Sequence, residues 1–135
     1  TEFVPLPFVH MESPLWHKGL ARSGPTLRES ILMHAVARIV FGELIPNIQT
    51  SWVKMGREGA ALCLRAGAND LGGTLMYESI TRAAGGSHGG LMDDDDMRAI
   101  AASAGRPLRR RTTTYAYVSD DQPRVANPAP ALLAS

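Results

Sequence analysis

The chain is poor in cysteine: Cys63 is the only one among 135 residues. A disulfide within the chain is therefore excluded, and a reducing, cytoplasmic setting is the default expectation. Cys63 sits in Leu62-Cys63-Leu64, inside a helical pattern, where a thiol reads as a small buried hydrophobe rather than a nucleophile. Long apolar runs are also missing, so neither a membrane span nor a signal peptide is read. Charge of one sign is not in excess. Fourteen Lys and Arg against thirteen Asp and Glu leave a formal net charge of +1, without the basic surplus of a nucleic-acid binder. An initial methionine is lacking too, and Thr1 leads almost at once into an apolar segment, as a piece of a longer protein would begin.

What is there alternates between strand and helix signals. Phe3 to His10 has the apolar content of a strand, but Pro5 and Pro7 remove ladder donors, so an edge strand or extended segment is expected. His10 and Glu12 follow at its end. Residues 11 to 25 carry Pro14, Gly19, Gly24 and Pro25 and read as a long loop. Thr26-Leu27-Arg28-Glu29 is a capping-box pattern that starts a helix. Along it Leu27, Ile31, Leu32, Ala35, Val36, Ile39 and Val40 form an apolar stripe, with Ser30, His34 and Arg38 on the polar side and Gly42 as the stop. His34 is accordingly expected to be solvated, or paired on a helix face.

Residues 47 to 53 read as the best strand, with Gln49, Ser51 and Val53 on one face and Ile48, Thr50 and Trp52 on the other. A helix from about Arg57 to Ala66 follows, with Gly67 at its carboxyl end. Asn69-Asp70-Leu71-Gly72-Gly73-Thr74 then reads as a strand opening into a tight turn over the start of a helix from Leu75 to Ala83 that carries Glu78. Paired glycines at such a turn either let backbone approach a ligand or merely supply dihedrals that only glycine adopts. His88 lies in the glycine-dense loop Gly85 to Gly90.

Asp93 to Asp96 precede a further helix. Neighbouring helical carboxylates diverge, so Asp93 is read as an N-cap with the others in the first turn, in preference to a metal site. Arg109, Arg110 and Arg111 are expected to pair with local carboxylates or remain solvated, and Thr112 to Val118 carries a β-branched and aromatic strand signal. From Ser119 to Ser135, prolines among alanines suggest a disordered tail. Strand and helix in repeated alternation with short connections imply parallel strands in an α/β fold.

In combination, residues 3 to 14, Leu32 to Arg38, Asn47 to Lys54 and Asn69 to Thr74 resemble the carboxyl-terminal region of the FO synthase family, in its half that joins tyrosine to a ribityl-diaminouracil. The likeness continues through Ser87-His88-Gly89 and Arg111-Thr112-Thr113, covering residues 3 to about 117. The stretch Asn69 to Thr74 alone also resembles the menaquinone-pathway radical cyclase, dehypoxanthine futalosine cyclase. The family belongs to the radical S-adenosylmethionine enzymes. The resemblance therefore implies the carboxyl-terminal part of a TIM-type βα barrel over residues 1–118, with the disordered tail at 119–135.

For the full-length enzyme the resemblance further implies S-adenosylmethionine and a 4Fe-4S iron–sulfur cluster as cofactors, and tyrosine and 5-amino-6-ribitylaminouracil as substrates, on the way to a deazaflavin. The remainder of the barrel would be this chain's partner; no nucleic acid or membrane partner is implied. The cluster's three cysteines, in a C-x-x-x-C-x-x-C arrangement, have no counterpart here, so the isolated chain is expected to be inactive. Carried over to this sequence, Gln49, Ser51, Asn69, Asp70 and Thr74 would line the barrel mouth and hold S-adenosylmethionine or the ribityl substrate. His10, Glu12, Glu78 and His88 are secondary candidates, and no residue of the chain is assigned to a metal. The alternative of another class is a non-catalytic binding module.

Overall fold

A computed structural model describes residues 1–73 and 92–119. The ordered elements are β1 (Glu2–Phe3), α1 (Pro14–His17), α2 (Leu27–Phe41), β2 (Asn47–Ile48), α3 (Trp52–Arg65) and α4 (Asp94–Ser103). β1 pairs with β2 in parallel, Glu2 opposite Asn47 and Phe3 opposite Ile48. A third extended segment joins on the far side of β2, where Gln49 bridges Asp70, also in parallel. Its ladder is continued by Asn69 N–H to Ile48 O at 2.9 Å and Thr50 N–H to Asp70 O at 2.9 Å. Parallel neighbours need a crossover between them, and α2 and α3 occupy those two connections.

One face of these short strands is covered by helices. Ile48 and Thr50 are wholly buried, and Trp52, Ala60, Cys63, Leu64, Ala68, Leu71, Met97 and Ile100 complete the core. α2 packs on α3, and α3 on α4. The capping box read at Thr26 forms, and Asp93, read as an N-cap, closes a second one. Thr26 Oγ1 accepts from Glu29 N–H at 3.2 Å while Glu29 Oε2 accepts from Thr26 N–H at 2.7 Å. Asp93 Oδ1 accepts from Asp96 N–H at 2.9 Å, with the reciprocal contact at 3.4 Å. Replacing Thr26 with alanine should cost about 1 kcal/mol of stability, read as a lower denaturant midpoint with an unchanged slope.

α2 is oriented opposite to expectation. Ser30, His34 and Ala37 are buried against the core, while Leu27, Leu32, Met33, Val36, Ile39 and Val40 are at least half exposed. The apolar stripe predicts that the larger apolar face turns inward. Instead the helix is held by polar bonds from the other face. Arg38 donates Nε–H to Gly67 O at 2.8 Å, Nη1–H to Pro46 O at 2.9 Å and Nη2–H to Asn69 Oδ1 at 2.9 Å. His34, fully buried, donates Nδ1–H to Ser30 O at 2.7 Å, leaving Nε2 without a partner among the described residues.

Three strand expectations are also revised. Residues 3 to 10 contribute only Phe3, with Glu2, to a strand, as the two prolines foreshadowed. The strand expected over 47–53 ends by Thr50, because Ser51 O accepts from Lys54 and Met55 N–H and so starts α3. Trp52 and Val53 are helical, and Gly56, at φ 69° and ψ 178°, resets the axis before the turns from Arg57 onward. Residues 112 to 118 do not form the expected strand. Thr112 N–H bonds Ala116 O at 2.8 Å, Thr112 Oγ1 accepts from Ala116 N–H at 3.2 Å, and Arg111 bridges Tyr117 antiparallel, so the segment folds back as a tight hairpin. A threonine hydroxyl that bonds nearby backbone competes with a sheet ladder for the same groups. Residues 11 to 25 form the expected loop except for the single turn of α1.

Candidate functional site

In parallel strands, side chains at paired positions point to the same side. Ile48 and Thr50 face the helices, so Glu2, Asn47, Gln49 and Asp70 share the opposite face. That face is polar, and Arg111 lies across it. Arg111 donates Nε–H to Asp70 Oδ2 at 2.5 Å, approaches Glu2 Oε2 with Nη2 at 3.9 Å, and donates Nη1–H to Thr112 O at 3.0 Å. The hydrogen bond to Asp70 is the main cause that holds the guanidinium even further above its usual range. Asp70 has only 8% of its side chain exposed.

The other oxygen of Asp70 shapes the turn. Oδ1 accepts from Gly72 N–H at 2.6 Å, an Asx-type closure. Gly72 has φ 76°, and a Cβ there would stand 2.7 Å from Gln49 Nε2, so glycine is required both by dihedral and by the amide lying against it. Trp52 Nε1–H donates to Gly73 O at 3.1 Å from the first turn of α3. The turn is thus fixed from the strand, the helix and the carboxyl-terminal hairpin.

Tyr115 closes the cluster. Its hydroxyl donates to Glu2 Oε2, and its ring lies 4.2 Å beneath the Arg111 guanidinium. It holds φ 65°, which costs a residue with a Cβ about 1 kcal/mol and is sustained by those two contacts. Burial, and secondly the hydrogen bond to Glu2, push its pKa to about 12 from the usual 10, against the opposing charge of Arg111. The folded state therefore retains a proton that the unfolded chain releases near pH 10. This contribution to stability is complete below pH 10 and is lost progressively as pH rises to about 12. Tyr115→Phe should flatten that part of the stability profile, measured by denaturation across the alkaline range.

The residues read as site candidates separate into groups. Gln49 and Asp70 come together at the turn. Asn69 lies on the other side of its strand, where Oδ1 accepts from Ile48 N–H at 2.8 Å and from Arg38, and Nδ2–H reaches Pro46 O at 3.1 Å. Its amide ties strand to helix. Ser51 precedes α3 without a side-chain capping bond. His10 Nδ1 accepts from Gly24 N–H at 2.9 Å and its ring meets Trp16 edge-on, closing the loop that follows β1, while Glu12 is exposed on that loop. Thr74, Glu78 and His88 lie outside the described residues.

Glu2, Arg111 and Tyr115 escaped the sequence reading as site residues. The arginine run carried only part of the signal: Arg110 pairs with Asp94, but Arg111 pairs with Asp70 and Glu2, carboxylates remote in sequence and not the local ones expected. On the helical side, an open groove of about 430 Å³ lies between α3 and α4, where Arg57 pairs with Asp96 at 2.5 Å and Arg65 donates to Ser103 O. Cys63 is wholly buried, and burial raises its thiol pKa; the Thr50 hydroxyl beside it offsets this in part, although no hydrogen bond of normal geometry joins the two. Such a thiol does not fit the role of an iron ligand, which requires an accessible thiolate. No helix among the described residues is long and apolar enough to cross a membrane.

The sequence is similar to known proteins over nearly its whole length. It is 54% identical over 126 residues to the FO synthase of Streptomyces coelicolor, covering 93% of this chain and 14% of that protein. Over 119 residues it is 54% identical to the FO synthase of Mycobacterium tuberculosis, covering 88% of this chain and again 14% of the relative. The 5-amino-6-(D-ribitylamino)uracil–L-tyrosine 4-hydroxyphenyl transferase of Methanoculleus marisnigri is 53% identical over 118 residues, 87% of this chain and 32% of that protein. The chain thus spans between about a seventh and a third of these relatives. No solved structure matches it. The family model described as the CofH/MqnC C-terminal region matches residues 1–124, and the chain belongs to that family.

Proposed function

We propose that this chain is the carboxyl-terminal wall of a radical S-adenosylmethionine βα barrel in an FO synthase, which joins a tyrosine-derived hydroxybenzyl group to 5-amino-6-ribitylaminouracil in deazaflavin biosynthesis. The observation that carries this reading is the 53% identity, over 87% of the chain, to a protein named for that aminouracil and tyrosine. The parallel pairing of β1, β2 and the Asp70 segment supports it, since barrel strands are parallel and their polar inner ends face the site. On this reading residues 1–118 form barrel wall and 119–135 a tail, in a cytoplasmic enzyme.

When bound in the complete enzyme, the cluster and S-adenosylmethionine supply the radical chemistry. The cluster's thiolates come from outside these 135 residues, because the one thiol here is buried in the core. This chain's contribution is binding and orientation. Gln49 presents an amide, donor and acceptor together, at the end of the inner face, suited to ribityl hydroxyls or an amino-acid head group. Asp70 has both oxygens engaged and sets the shape of the turn. Ser51 stands at the neighbouring strand end, and Thr74, outside the described residues, is kept as a candidate from the resemblance alone. Alone, the chain would be inactive.

The test is to read the coding sequence upstream of Thr1 and to assay the complete protein anaerobically with tyrosine and the ribityl-uracil. A C-x-x-x-C-x-x-C motif and the coupled product are expected. An upstream region without the triad, or a complete enzyme that leaves both substrates unchanged, overturns the reading. A menaquinone-pathway cyclase is the second reading, favoured by a family description that names MqnC beside CofH. Product analysis with the two substrate sets separates them.

A further inference from the structure

We propose that Arg111 is a positioning residue for the strand-end turn: it holds Asp70 in the rotamer that shapes residues 70–73, and so fixes where that turn meets a ligand. Three observations converge. Asp70 is nearly buried and shares its two oxygens between Arg111 Nε and Gly72 N–H, so the ion pair and the turn closure are made by one carboxylate. Arg111 is itself immobilised, with Tyr115 stacked 4.2 Å from it, Thr112 O on Nη1 and Glu2 beside Nη2. And the residue that anchors Arg111 from below, Tyr115, is held in a left-handed conformation that a free hairpin would relax.

The consequence is a mechanical connection between segments far apart in sequence. Glu2 on the first strand, Asp70 on the third segment and Arg111 and Tyr115 on the hairpin share one network of charge-assisted bonds. The planar fork of arginine is what reaches Asp70, Glu2 and Thr112 O at once. Lysine, a point charge on a flexible stem, would keep the attraction and lose the geometry.

The inference rests on the proposed function for its kinetic readout, and the test includes one that does not. In the complete enzyme, Arg111→Ala is expected to raise KM for the ribityl-uracil roughly ten- to a hundredfold with a smaller effect on kcat, as misplacement of a binding loop does. Arg111→Lys should fall between, and added guanidinium should restore part of the alanine variant's loss. Independently of any substrate, hydrogen exchange in the peptide containing Gly72 should accelerate in Arg111→Ala and slow again with guanidinium. Unchanged exchange there, with KM within about twofold of the parent, overturns the proposal. So does a loss of global structure that guanidinium leaves unrepaired, which would assign Arg111 to folding alone. A parent enzyme inert towards these substrates refutes the function, while the exchange experiment still decides the role of Arg111.

Discussion

Gly24→Ala should be among the most damaging single-methyl additions in this chain. A Cβ at Gly24 would lie 1.9 Å from the carbonyl oxygen of Phe8 and 3.3 Å from His10 Nδ1. The first of these is backbone, so no rotamer change relieves it. The two strands of chain must separate, and separation breaks the bond from Gly24 N–H to His10. A cost of about 2–3 kcal/mol is expected, the range for overpacking a site that cannot yield. Limited proteolysis should then cut between residues 8 and 25 faster than in the parent, and the thermal midpoint should fall. A methyl at Gly19, where nothing lies within 4 Å, is the control for crowding; its φ of 69° leaves only the backbone strain of a left-handed residue.

The second large effect concerns α2. Ile39 is 81% exposed, and with Leu32, Met33, Val36 and Val40 it forms an apolar surface on the side of α2 turned away from the core. A surface of this kind, exposed to water, marks contact with something else or a tendency to associate. The 135-residue chain by itself is therefore expected to self-associate and to bind a hydrophobic dye. The double variant Ile39→Lys, Val40→Lys should reduce both, since lysine also has the better helix propensity at exposed positions. If, as proposed, the rest of a barrel covers that face in the complete enzyme, the same pair should lower the stability of the whole. Size-exclusion chromatography of the chain and thermal denaturation of the complete enzyme read the two halves. A parent chain that stays monomeric without dye binding would show the exposed face to be harmless.

These two expectations arise at places that the sequence described differently well. The Gly24 contact brings together residues from both ends of what reads only as a long loop; nothing in the spacing of Phe8, His10 and Gly24 announces that the ends touch. The α2 pattern does announce a helix and its two ends, Thr26 and Gly42, and both stand as read. It does not announce which face turns inward. Periodicity measures how apolar residues cluster on a cylinder, whereas orientation depends on what the cylinder meets. Here the small or bonded face, Ser30, His34 and Ala37, meets the core, and Arg38 fixes the helix to Gly67, Pro46 and Asn69.

The turn tells a similar story. Asn69 to Gly73 could be recognised as the end of a strand with a glycine-dependent bend, because the residues that allow the bend are neighbours in the chain. That Asp70 closes it through Gly72 is likewise local. The partner of Asp70 is Arg111, forty-one residues away, and Glu2 and Tyr115 are more remote still from each other. An arginine among three in a row looks solvated until a fold supplies the carboxylates.

By itself, then, the sequence determined α2 and α4 with their amino-terminal caps, the glycine turn and the family, since each depends on residues close together or on their order. Only the tertiary structure decided which face of α2 is buried, that Asn69 binds strand to helix, and that Arg111 spans the polar face of the strands. Those are settled by pairings across the chain, where geometry in three dimensions, not position along it, selects the partner of each polar group.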